Sequence, residues 1–181
     1  MMLEKNRACL MVIDVQTRLL PGIPDSETLV ERCTALVGLA NELEIPVFGS
    51  EQYPDGVGPM DDTLKAAIGA DNVAGKTHFS CVDAPECADL MQQMTQDQIV
   101  ICGMESHACV LQSALSFKAQ GKEVFVVADA IASRHAVDTE FAIARMREEG
   151  IKLVTCEMVG FEWLRRSDTA GFKTFSKAFL R

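Results

Sequence analysis

The chain of 181 residues carries 17 Lys and Arg against 26 Asp and Glu, a formal net charge of −9, and 48% of it is hydrophobic. That length suits one domain over residues 1–181, burying about 70% of its unfolded surface without metal or disulfide support. The acidic residues are spread rather than blocked, which argues against nucleic acid or an anionic membrane as main partner, since both demand basic patches.

The seven cysteines show no CxxC pair and no Cys/His spacing suited to zinc. An odd count, with several inside apolar runs, reads as reduced thiols in a cytoplasmic protein. The opening MMLEKNRACLMVID lacks a secretory layout, because its short apolar run ends in Asp14. No run approaches the roughly 18 apolar residues of a transmembrane helix.

In chain order, Ala8 to Ile13 is a first buried strand, followed by a polar loop through Pro21, Gly22 and Pro24. Ser26 with Glu27 is expected to cap a long amphipathic helix carrying Leu29, Val30, Cys33, Leu36, Val37 and Leu43. Ile45 to Ser50 is a second strand with proline at its start, where a missing N–H is tolerated. The turn-rich loop Gln52 to Pro59 and a short helix over Thr63 to Ile68 lead to a weak third strand, Val73 to Lys76. Asp83-Ala84-Pro85-Glu86 reads as an N-cap with proline just inside a helix whose apolar face is Leu90, Met91 and Met94.

Ile99 to Cys102 is a β-branched run suited to a buried parallel strand, broken by Gly103. Ser106 then stands where an N-cap would fall, and helical spacing runs from Cys109 to Gly121. Glu123 to Ala128 is the clearest strand and ends at Asp129. A helix from about Val137 to Glu149 stops at Gly150, and Lys152 to Cys156 is a sixth strand. The rest holds a short helix around Trp163 and a tail that turns helical near its end. Strands alternating with helices predict a three-layer α/β fold, a doubly wound parallel sheet with helices on both faces. No glycine-rich turn matches the dinucleotide fingerprint or the phosphate-binding loop, so no nucleotide cofactor is expected.

Three chemistry-bearing residues stand at or just past strand ends: Asp14, Lys76 and Cys109. In a doubly wound sheet with the first strand in the middle, those ends converge on one crevice. Each also has a plain structural reading: a strand-ending Asp, a solvated Lys and a buried Cys. Together they make chemical sense. A nucleophilic thiol needs a base and a positive environment; Asp14 would take its proton, Lys76 would orient Asp14 and add positive potential, and the helix start would favour a thiolate. Backbone N–H groups between Met104 and Cys109 would form an oxyanion hole.

The pieces LMVIDVQ, the lysine of AGKTHFS, GMESHACV and VVADAIASR occur in that order across nearly the whole chain. With them the chain resembles the isochorismatase-like cysteine hydrolases, which include the nicotinamidases and carbamoylsarcosine amidase. The resemblance implies a six-stranded parallel sheet, and the triad Asp14, Lys76 and Cys109 acting on a small amide or related C–N bond. It also implies a cis peptide at Met104–Glu105, with Glu105 and Met104 beside the oxyanion, Gln16 and Gln52 as pocket residues, and a homo-oligomer of two or more copies.

Departures from the family's patterns narrow that expectation. Where nicotinamidases carry histidine metal ligands after the second strand, this chain reads SEQYPDG, so neither a metal nor any other cofactor is expected and nicotinamide is disfavoured. The aromatic that usually follows the DxQ motif is replaced by Arg18 and Leu19, so that wall of the pocket differs. Two rivals stay open. One is the vinyl-ether hydrolysis of isochorismate, which needs the acid and the lysine but no thiolate. The other is a binding or assembly protein that keeps the old pocket.

Overall fold

The computed structural model describes residues 1–180. Six strands form one parallel sheet in the order β3-β2-β1-β4-β5-β6: β1 Ala8–Ile13, β2 Val47–Gln52, β3 Val73–Lys76, β4 Gln98–Met104, β5 Glu123–Ala132 and β6 Lys152–Val154. The helices are α1 Ser26–Glu42, α2 Pro54–Val57, α3 Asp62–Ile68, α4 Ala88–Gln93, α5 Leu111–Ala119, α6 Ala136–Glu148, α7 Cys156–Leu164 and α8 Ala170–Phe179. None is long and apolar enough to cross a membrane.

The period-2 alternation of a strand divides the core into two layers. Ala8, Leu10 and Val12 of β1 and Val100, Cys102 and Met104 of β4 face α1, α3, α7 and α8. Cys9, Met11 and Ile13, with Ile99 and Ile101, face α4, α5 and α6. Both faces of β1 and β4 are therefore apolar, which is why these segments read as continuous hydrophobic runs rather than alternating ones.

Gly103 is required where β4 passes the end of β1. Its φ is +128°, and a Cβ there would lie 2.1 Å from the Ile13 carbonyl oxygen. Beyond this point the pairing of β4 with β5 shifts, from Ile101–Val126 to Gly103–Ile131. That irregularity carries β5 on to Ala132, four residues past the expected end at Ala128. Asp129 lies within the extension, and its Oδ1 accepts the Cys156 N–H at 2.8 Å. The expected last strand is correspondingly shorter, because Cys156 begins α7.

Several expected caps take other partners. α1 follows Asp25, in the left-handed region at φ 50°, with no side-chain cap. Asp83 accepts the Ser116 hydroxyl at 2.7 Å instead of capping a helix. Where the sequence places no named cap, Asp61 accepts the N–H groups of Thr63 and Leu64 and starts α3.

Candidate active site

The chain winds from β1 outward through β2 to β3, then returns beside β1 and winds the other way through β4, β5 and β6. The switch point is the carboxyl edge between β1 and β4, where such sheets bind ligands. Asp14 follows β1 directly, and Cys109 lies within a turn after β4. Lys76 ends β3 two strands away, paired with Gln52 of β2, and its long side chain reaches Asp14.

Asp14 adopts φ +53°, a left-handed conformation uncommon outside glycine, which aims its carboxylate across the strand ends. Its N–H donates to the Ser50 carbonyl at 3.0 Å. Oδ1 accepts the Ser50 hydroxyl at 2.7 Å, and Oδ2 accepts Lys76 Nζ at 2.8 Å. Lys76 also donates to Gln52 Oε1 at 2.6 Å. Both charged side chains are sealed from solvent, so pairing and further hydrogen bonds are what make the burial tolerable.

Cys109 belongs to a π-helical turn, Ser106–Val110, that leads into α5. Such turns are uncommon and occur often at functional sites. The Val110 N–H bonds the Glu105 carbonyl at 3.3 Å, and the Ala108 N–H bonds the same oxygen at 3.0 Å. Ser106 is buried inside this turn rather than capping it; Glu105 holds the N-cap position. No peptide bond among the described residues is cis, so the Met104–Glu105 bond is trans; the chain leaves the strand through Glu105 at φ 2°, ψ 97°.

The Cys109 thiol is 3.8 Å from Gln52 Oε1. Burial pushes its pKa well up; the nearby Asp14 charge adds to this and Lys76 opposes it. That direction favours the neutral thiol over the thiolate. It runs opposite to the shift toward thiolate expected from a helix start.

A cleft of about 350 Å³ opens over Asp14, Gln52 and Cys109. Leu19, Val57, Phe79 and Ala108 form its apolar wall, and Glu105, His107 and Arg134 its polar rim. Glu105 Oε1 accepts Arg134 Nε at 2.9 Å. His107 Nδ1 lies 3.0 Å from the Ser133 hydroxyl. Leu19 thus lies in the wall where the sequence departs from the family's aromatic.

Not every residue expected near the substrate lies there. Gln16 is fully buried, and its amide is spent on backbone: Nε2 donates to the carbonyls of Gln52 and Gly58, and Oε1 accepts the Gln52 N–H. It fastens the loop after β2 rather than lining the cleft. The Met104 side chain lies in the α1 layer of the core, on the opposite face of the sheet from Cys109, as strand parity demands. Sequence reasoning missed Ser50 and Arg134. Ser50's signal was a polar residue at the end of the expected second strand, which pairs beside Ile13; Arg134's was its place as the last residue of VVADAIASR, one of the pieces that carry the resemblance. Among the described residues no three His, Cys, Asp or Glu side chains gather as a metal group would require.

The chain belongs to the isochorismatase family: the Isochorismatase domain model matches residues 8–158, which hold all six strands of the parallel sheet. Isochorismatase domain-containing protein 2 of Xenopus laevis is 34% identical over 181 residues, covering 98% of this chain and 86% of that protein. Among solved structures, MAR1 ribonuclease from Caenorhabditis elegans superposes with a TM-score of 0.91 at 30% identity, covering 100% of this chain and 93% of that one. The YcaC gene product of Escherichia coli, an octameric hydrolase of unknown specificity, also gives 0.91, at 27% identity and 98% and 90% coverage.

Proposed function

We propose that this protein is a metal-independent cysteine hydrolase that cleaves a small amide or related C–N bond. The observation that carries the reading is the sealed Asp14–Lys76 pair beside a thiol that opens onto a cleft. Cys109 Sγ attacks the carbonyl carbon while its proton passes to Asp14, so no free thiolate is needed beforehand. Asp14 then gives that proton to the departing nitrogen as the C–N bond breaks, leaving a thioester. Water attacks the thioester with Asp14 again as base; the C–S bond breaks, the acid leaves and the thiol is restored. Lys76 holds Asp14 in place and offsets the negative charge on it. Backbone N–H groups in the first turn after Glu105, that of Cys109 among them, stabilise the oxyanion.

The ribonuclease activity of the worm relative finds little support in this cleft, where the exposed cation, Arg134, is already paired with Glu105. Cytoplasmic residence and a single domain over the whole chain belong to the same proposal. So does a homo-oligomer, supported by the octameric bacterial relative and by Val137 and Phe141, which stand exposed four residues apart on α6.

Replacing Cys109 by Ala tests the mechanism. Turnover in a screen of small carboxamides is expected to fall at least about a thousandfold with melting temperature little changed. Full activity in that variant would sink it.

A further inference from the structure

Granted the amide reading above, the charge pairing around the cleft points to the substrate class. The one Lys or Arg among the residues that line it is Arg134, and Lys76 lies behind its floor; neither is free. Lys76 is sealed behind the floor and spent on Asp14 and Gln52. Arg134, at the rim and 60% exposed, donates its Nε to Glu105. Glu105 lies deeper, at 12% exposure, with Oε2 buried without a hydrogen-bond partner and 3.6 Å from His107 Nδ1. His107 Nδ1 is nearer the Ser133 hydroxyl. The acid is thus less screened by water than the base that offsets it.

An anionic substrate entering here would lose its hydration against Leu19, Val57, Phe79 and Ala108. It would meet no unpaired Lys or Arg among the lining residues, and it would approach the Glu105 carboxylate. An uncharged group loses little solvation and gains apolar contact. A volume of about 350 Å³ is at the small end for ligand clefts. We infer that the cleft takes a small uncharged carboxamide with an apolar acyl group and rejects carboxylate-bearing analogues, with Glu105 as a specificity-determining residue.

The test compares two alkylating reagents of the same frame, neutral iodoacetamide and anionic iodoacetate, on the intact protein, with peptide mapping at Cys109. The ratio of their rate constants, divided by the same ratio for glutathione, removes the thiol's own reactivity. That quotient is expected to be tenfold or more for the native chain and to fall at least threefold in Glu105→Gln. Arg134→Gln, which leaves the acid uncompensated, is expected to raise it. A native quotient near one, or a Cys109 that iodoacetamide never labels, overturns the inference whether or not either variant folds.

Because labelling requires no turnover, the two readings fail separately. An amide screen with no Cys109-dependent product, beside a large quotient, removes the hydrolase reading alone. Cys109-dependent hydrolysis that prefers carboxylate-bearing amides to neutral ones removes the substrate class alone.

Discussion

Lys76 Nζ and Asp14 Oδ2 are 2.8 Å apart although 62 residues separate them in the chain, and both side chains are almost wholly buried. A buried charge that loses its partner has no water to fall back on. Lys76→Met is therefore expected to destabilise the protein by about 3–5 kcal/mol. Adding Asp14→Asn should recover much of that loss without restoring activity, which urea unfolding of the single and double variants would show. An additive double variant would mean that the pair is not coupled.

The Cys109 thiol is pushed up by burial and by Asp14. Its labelling by iodoacetamide should therefore keep rising with pH past about 8.5, where an ordinary free thiol is half ionised. A plateau reached below pH 8 in the mapped Cys109 peptide would show a preformed thiolate and would remove the need for Asp14 to take the proton during attack.

Alkaline stability follows from the other buried thiols. Burial raises Cys9 and Cys81 from 9.0 to about 12 in the folded chain. Between those values the unfolded chain has lost protons that the folded chain keeps, so stability is full below pH 9 and declines as pH rises toward 12. Each such thiol should remove about 1.4 kcal/mol per pH unit in that window. Urea unfolding at pH 8 to 10.5 is expected to show the decline, and Cys81→Ala to make it shallower. An unchanged slope in that variant would rule out Cys81 as a source.

Gly103→Ala combines a positive φ with a Cβ placed 2.1 Å from the Ile13 carbonyl oxygen. Backbone on both sides cannot yield as a flexible side chain would. A loss of about 3 kcal/mol or more is expected, together with misplacement of the turn that carries Cys109. Thermal unfolding near that of the native chain would show that the two strands can separate at this point.

Much of the fold was legible because its signals are local. The apolar runs of β1, β4 and β5 and the helical spacing of α1, α5 and α6 each express a burial pattern that their own residues carry. What failed were cap partners and strand ends, such as Asp83, Ser106 and the extension of β5. There a hydrogen bond or a register shift is decided by a segment far along the chain.

The candidate site divides the same way. By itself the sequence determined the residue types and their order: an acid after one strand, a lysine ending another, and a cysteine just past a third. Tertiary structure decided how they meet. Parallel pairing in the order β3-β2-β1-β4 brings Ser50 and Lys76 onto Asp14, and strand parity turns Met104 away from the cleft. Burial pushes the Cys109 thiol up, and Glu105 meets Arg134 across 29 residues of chain, so the one Lys or Arg lining the cleft is paired. These outcomes depend on distance and burial in three dimensions, which residue type and spacing along a chain do not specify.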